Sequence, residues 1–208
     1  IEISGKIHND YGLCNGLANL AWVYTDLGDY ARALECAGKS LDLSARQGIW
    51  LAHFLACAYA GYCRSEMNDH QGAIEFLDRG RELDRKRRFT LRVYTAPLYV
   101  YRAEAYTRLY LDLNSGPKGP SAFKLRAMMM KACREALARS RGWPLIHCAA
   151  VRVAAQCAEA LGRDKKAVRL YREAIGLCAR AGRRFELGRA YLGLGGLLSR
   201  VCKDDEAS

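Results

Sequence analysis

Cysteine and histidine are the residues of this 208-residue chain whose chemistry would suit metal binding or redox reactions. There are nine cysteines and four histidines, but no CxxC pair occurs. His8, His53, His70 and His147 have no zinc-ligand spacing to one another or to a cysteine. Several cysteines stand directly beside an alanine in helical patterns, and buried free cysteine behaves as a small hydrophobic residue. We therefore expect no metal site, and free thiols in a reducing, cytoplasmic compartment.

Motifs for catalysis are missing as well. The sequence contains no GxxxxGK[ST], GxSxG or HExxH pattern. The run LGLGG at Leu192–Gly196 is only superficially a nucleotide-binding fingerprint, because no strand precedes it, and we interpret it as helix packing. The sequence predicts a protein that is not an enzyme and needs no cofactor.

The formal charge of +11 would suit a nucleic-acid partner. Many of the arginines, such as those within Arg79–Arg88, fall at the ends of helical patterns, where cations complement the helix dipole. No aromatic residues alternate with them, as a platform for stacking bases would require. We favour a solvated basic surface and keep nucleic-acid binding as an unlikely alternative. No apolar run reaches the roughly 20 residues of a membrane span, so a soluble protein is expected.

The elements that would position any site come from a repeated phrase. Leu27–Gly48 predicts a tight turn followed by an amphipathic helix. It returns at Met67–Arg88, at Ser121–Gly142 and, without a gap, at Leu161–Gly182. The weaker third copy is centred on Ala127. The copies recur with a period of 40 residues, except that the third unit contains an insertion of 14 residues. A period of this length with two helices per unit indicates stacked helical hairpins.

The best-matching units share a pattern of small, aromatic and turn residues. These are Leu20, Ala21, Tyr24, Gly28, Asp29, Tyr30, Ala33 and Leu41 in the first unit, and Ala154, Ala155, Gly162, Ala167, Tyr171 and Ala174 in the fourth. The pattern resembles the tetratricopeptide repeat, and the 40-residue units are similar to those of multidomain signalling ATPases and transcription regulators. The resemblance implies an all-α fold, a right-handed superhelical solenoid of about four and a half hairpins and roughly nine helices. One repeat domain would span residues 1–208, with units at about 8–47, 48–88, 89–142 and 143–182 and a half unit at 183–203.

Three local expectations follow for the second half of the chain. Because proline lacks a backbone donor, Pro97 would either lie in a first turn or kink a helix, and we favour a helix from about Pro97 to Leu113. The Gly/Pro/Ser-rich stretch Leu113–Ser121 would be a loop that forms most of the insertion. The last helix, about Arg183–Val201, is expected to turn four residues inward and to use its glycines for close packing. The inward set is Leu187, Tyr191, Leu194 and Leu198.

In tetratricopeptide arrays the first helix of each hairpin, the A helix, lines a concave groove, and the second is the B helix. Carrying over the groove-facing positions predicts a binding set of Asn15, Trp22, Tyr62, Ser65, Glu104, Arg152, Gln156 and Arg189. We take Trp22 and Tyr62 as anchors, because large aromatic residues dominate interface energetics, although each would equally suit packing against the next helix.

The function that follows is a non-catalytic scaffold or regulatory module. It would bind a peptide, a helix or another domain of its own longer chain in the groove. A ligand-sensing regulatory domain and nucleic-acid binding remain the alternatives. The first residues, IEISGKIHND, and the broken-off repeat at Lys203–Ala207 suggest a fragment, so a homodimer through an unfinished end is also possible.

Overall fold

The computed structural model describes residues 9–87, 92–114 and 120–206 of the chain. Within these ranges it contains nine α-helices and no strand, which confirms the predicted all-α class and helix number. The helices group into two compact units, Ile1–Ala105 and Tyr106–Ser208, and the division falls inside the fifth helix.

Unit 1 consists of consecutive hairpins in which each helix packs on its neighbour in the sequence. Its helices are α1 (Asp10–Asp26), α2 (Tyr30–Gln47), α3 (Trp50–Glu66), α4 (His70–Arg87) and the first part of α5 (Arg92–Asn114). The A helices α1 and α3 also contact each other. Helix α3 buries twelve of its 17 residues, because α1, α2 and α4 all pack against it. This almost wholly apolar helix is therefore enclosed on more than one side.

Unit 2 repeats the arrangement. It contains the end of α5, then α6 (Pro120–Ser140), α7 (Pro144–Ala160), α8 (Asp164–Arg180) and α9 (Arg184–Glu206). Helix α7 packs on α6 and α8, and the A helices α7 and α9 are in contact. Pro144 occupies the first helical turn of α7, where its missing N–H would have had no intrahelical partner.

The turns from A to B helices share one backbone device. The turn residue has a positive φ at Gly28 (76°), Asn68 (64°) and Gly162 (67°). Asparagine tolerates this left-handed region better than most residues with a side chain. This explains how the turn at Asn68, in the second hairpin of unit 1, forms without glycine. Asp29 and Asp69 follow directly, and their carboxylates accept backbone N–H groups at the starts of α2 and α4. These bonds hold the pKa of both carboxyl groups below the ordinary value of 3.8.

The turns from B to A helices are held by buried polar pairs. Ser44 Oγ lies 3.0 Å from His53 Nδ1, and Ser140 Oγ lies 2.9 Å from His147 Nδ1. The hydroxyl of Tyr99 donates to Asp84 at 2.5 Å. Both serines are fully buried, so the two Ser–His pairs join helices and offer no accessible nucleophile.

Helix α5 differs from its prediction. It begins at Arg92, so Pro97 lies inside the helix and not in its first turn. The helix has 23 residues, compared with 17 in α1, α3 and α7, and it extends through Leu113 to Asn114. Much of the 14-residue insertion is therefore added helix and not loop. The rest of the predicted loop, residues 115–119, lies outside the described residues, and α6 resumes at Pro120.

The register assigned to α6 is wrong. Ala33, Ala73 and Ala167 are all fully buried, as equivalent core positions should be, whereas Ala127 is exposed. Helix α6 instead buries Met129, together with Ala132 and Ala136 one and two turns later. An insertion that lengthens the preceding helix need not preserve a 40-residue count, so spacing alone did not fix this register.

The inward face of α9 also differs from the prediction. Tyr191 is 57% exposed and Leu198 is 39% exposed, while Glu186, Ala190 and Leu197 are buried. Leu194 is partly buried and packs against a core cluster around Tyr171, as expected. Of the glycines in this helix only Gly193 makes a close approach: an added Cβ would lie 2.5 Å from the Tyr171 ring. Gly188, Gly195 and Gly196 face open space.

Candidate binding surface

Four aromatic side chains form a row across the A helices of unit 1. Trp22 comes from α1, Tyr59 and Tyr62 from α3, and Tyr101 from α5. The rings of Trp22 and Tyr59 are parallel, with an interplanar angle of 2° and centroids 6.4 Å apart. The rings of Tyr62 and Tyr101 are tilted by 49°, with centroids 4.5 Å apart. Tyr59 and Tyr62 are three residues apart and therefore neighbours on one helix face, so the four residues make one continuous aromatic row.

The row presents its largest ring to solvent. Trp22 is 49% exposed, although Tyr59 beneath it is only 9% exposed. Burial raises the pKa of Tyr59, and the nearby Asp26 carboxylate adds to the effect, so this phenol remains neutral. A half-exposed indole stacked on a buried neutral ring is held in place while one side stays open. It can cover an apolar side chain of a partner with little loss of conformational freedom.

The polar residues of the predicted binding set in unit 1 offer less accessible surface to a partner than the aromatic row does. The Asn15 side-chain amide donates to the Tyr11 carbonyl at 3.0 Å, within its own helix. Ser65 is 3% exposed, and its hydroxyl lies 3.5 Å from His70 Nδ1. Glu104 is likewise 3% exposed. The structure thus brings Trp22 and Tyr62 onto the aromatic row and places Ser65 and Glu104 in the packed interior of unit 1.

In unit 2 two of the three predicted residues, Arg152 and Arg189, meet a carboxylate that the sequence reasoning missed, and the third, Gln156, binds Arg152. Arg152 Nε donates to Glu186 Oε2 at 2.6 Å, and its Nη1 donates to the Gln156 side-chain oxygen at 2.8 Å. Arg189 Nη1 lies 3.7 Å from Glu186 Oε1. The spacing of Glu186 and Arg189, three residues apart on one helix, is the signal that would have connected them.

This cluster joins α7 to α9 inside unit 2. Arg152 is 1% exposed and Glu186 is 7% exposed, so both charges are withdrawn from water and compensated by each other. Removing one member of such a pair costs about 3–5 kcal/mol, because the remaining charge stays buried without its partner. Arg152 therefore stabilises the packing of two A helices and presents almost no surface to a ligand.

The cysteines follow the expected packing. Seven of the nine, all except Cys36 and Cys202, are buried in the helical interfaces. Burial raises the pKa of Cys57 to about 12, so this thiol stays protonated at neutral pH. Across the three described ranges, no group of three or more His, Cys, Asp or Glu side chains is arranged to hold a metal ion. In the same residues, no helix is long and apolar enough to cross a bilayer.

Comparison with known families supports the identity of the first hairpin. A family model described as tetratricopeptide repeat matches residues 15–47, which covers most of α1 and all of α2. The first hairpin is therefore a tetratricopeptide repeat, as predicted from Leu20, Ala21, Gly28 and Ala33. No curated protein matches the chain. Tetratricopeptide repeats generally mediate protein–protein interactions.

Proposed function

We propose that this protein is a non-catalytic interaction module that binds a peptide, a helix or a partner domain along the aromatic row of unit 1. The observation that supports this most directly is Trp22, which is half-exposed while stacked flat on the buried Tyr59. Exposed tryptophans in ordered surroundings are the residues most often found at energetic centres of interfaces. A separate protein and another domain of a longer chain would both meet this same surface.

The location of Trp22 within the matched repeat strengthens the proposal. Trp22 lies on the A helix of the segment that matches the tetratricopeptide repeat, at a position that faces the groove in that family. Tyr62 is at the corresponding place on the next A helix, and Tyr101 extends the row to α5. A partner that follows the row would contact three consecutive A helices of one unit.

Capture from an extract of the source cells tests the proposal. The wild-type protein is immobilised beside Trp22→Ala, Tyr62→Ala and Trp50→Ala variants, and bound proteins are identified with and without nuclease and at about 0.5 M salt. Trp50 is the matched control: it is 41% exposed in the same unit but stacks under Arg87, with the guanidinium carbon 3.8 Å from the ring centroid.

We expect one set of proteins to be retained by wild type and Trp50→Ala and lost from the other two variants. With a purified partner, Trp22→Ala should weaken binding by about 2 kcal/mol or more, close to thirtyfold. Retention of every bound protein by Trp22→Ala and Tyr62→Ala would reject the aromatic row as the site. Loss of all binding after nuclease treatment would reject a protein partner.

A further inference from the structure

The net positive charge of the chain is confined to one of its two units. Residues 1–105 contain 13 Lys and Arg and 13 Asp and Glu, so unit 1 has no net formal charge. Residues 106–208 contain 20 Lys and Arg and 9 Asp and Glu, which accounts for the whole excess of +11. A general requirement for solubility would not explain a division of charge this sharp.

Helix α8 carries four of the positively charged side chains of unit 2 on one face. At 100° per residue, Lys165, Arg169, Arg172 and Arg180 fall within an arc of about 80° and extend over about 22 Å of helix. All four side chains are exposed, and we call this set the basic stripe. The Arg180 guanidinium lies along the helix towards Gly176, where an added Cβ would be 3.4 Å from its Nη1. The stripe is therefore continuous along the solvent face of α8.

The basic stripe has little acidic compensation, since Glu173 is the one exposed carboxylate of α8 beside it. In unit 1 exposed cations are neutralised locally, as in the pairs Arg32–Asp29, Lys39–Glu35 and Arg85–Glu82. Among the described residues, no ion pair includes a member of the stripe. Asp164, at the start of α8, is instead paired with Arg200 of α9. Like charges one turn apart destabilise a helix, so an anionic partner would relieve repulsion as well as form new contacts.

We propose that the basic stripe is a docking surface for an acidic segment of a protein partner. It is distinct from the aromatic row, since it lies on a B helix of the other unit. One observation favours an acidic polypeptide over nucleic acid. The one aromatic residue of α8, Tyr171, is 1% exposed, so α8 offers no aromatic side chain on which a base could stack beside the stripe.

The test uses a fluorescent poly-L-glutamate 20-mer as the acidic probe, with a 20-base single strand and a 20-base-pair DNA duplex measured in parallel at about 0.1 M salt. The stripe variant is Lys165→Gln/Arg169→Gln/Arg172→Gln/Arg180→Gln. The matched control neutralises four exposed cations of unit 1, as Arg32→Gln/Lys39→Gln/Arg85→Gln/Lys86→Gln. Both variants lose four positive charges, so an effect of net charge alone would be equal in the two.

We expect wild type to bind poly-L-glutamate more tightly than either DNA. The stripe variant should lose about thirtyfold in affinity, as expected for four exposed ion pairs, and the control less than about threefold. A charge-preserving variant, Arg169→Lys/Arg172→Lys/Arg180→Lys, should stay within about threefold of wild type, and it guards against a folding effect. Equal losses in the stripe and control variants, tighter binding of DNA, or no binding of poly-L-glutamate by wild type would each overturn the proposal.

Discussion

Replacing Gly193 by alanine tests the packing of α9 on α8. A Cβ at this position would lie 2.5, 2.7 and 2.8 Å from Cε1, Cζ and the hydroxyl oxygen of Tyr171. The ring cannot easily move away, because Tyr171 is 1% exposed and its hydroxyl donates to Glu159 Oε2 at 2.8 Å. Gly195 lies two residues further along the same helix, and a Cβ added there would meet nothing within 4 Å.

The two substitutions share the same gain in helix propensity, but only one of them adds a methyl group to a packed site. Glycine to alanine in a helix interior is favourable by about 1 kcal/mol, and this gain applies to both. Forcing an extra methyl group into a packed core costs about 1–3 kcal/mol, and this applies to Gly193→Ala alone. The free energies of unfolding of the two variants should therefore differ by about 1–3 kcal/mol, with Gly195→Ala more stable than wild type.

Urea unfolding followed by circular dichroism at 222 nm measures this difference. The slope of free energy against urea should be the same in all three proteins, so that a shift of the midpoint reports stability alone. If Gly193→Ala stabilises the protein as much as Gly195→Ala, the close contact between α9 and Tyr171 is wrong.

Three further predictions can be checked by the same measurement. Gly80→Ala should destabilise relative to Gly38→Ala by about 1–3 kcal/mol, because a Cβ at Gly80 would collide with the Cδ1 methyl of the buried Leu98 whereas Gly38 faces open space. Arg152→Met should cost about 3–5 kcal/mol by stranding the carboxylate of Glu186, and replacing both residues by methionine should recover most of that loss; no recovery would contradict the pair. Burial lowers the pKa of His53 below its ordinary value of 6.5, so the unfolded chain binds its proton first on acidification. Stability should fall as the pH drops below about 6.5, and His53→Asn should make that fall shallower; an unchanged slope would contradict a buried neutral imidazole.

The features that the sequence predicted correctly have local causes. A glycine or asparagine that takes positive φ marks the turns from A to B helices at Gly28, Asn68 and Gly162, and an aspartate follows directly in the first two. Small residues at a spacing of one turn then bury themselves, as Ala33 and Ala37 do in α2. Such signals act within a few residues, so the hairpins and the all-α class could be predicted from the chain alone.

The features that were predicted wrongly depend on packing over a longer range. Pro97 is compatible with an interior helical position because its neighbours Ala96 and Leu98 are fully buried against other elements. That tertiary packing outweighs the loss of one hydrogen bond. The register of α6 depended on how many residues the preceding helix would absorb, and no local signal reports this. Tyr191 suits an inward face by type, yet the small residue Ala190 is the one buried, since α9 approaches α8 closely at Gly193.

The predicted groove residues show why position within a repeat does not by itself identify a binding residue. The repeat fixes the direction in which a side chain leaves its helix, and Trp22 and Arg152 were chosen by the same rule. Whether the side chain stays available depends on what the neighbouring helix supplies. Tyr59 supplies a flat surface that supports the Trp22 ring from one side, so the other side remains open. Glu186 supplies a negative charge with which Arg152 forms an ion pair, so the guanidinium points inward and does not contact a ligand. Recognition by this chain is therefore expected to rely on aromatic contacts in unit 1, and on charges of unit 2 that no neighbouring carboxylate has neutralised.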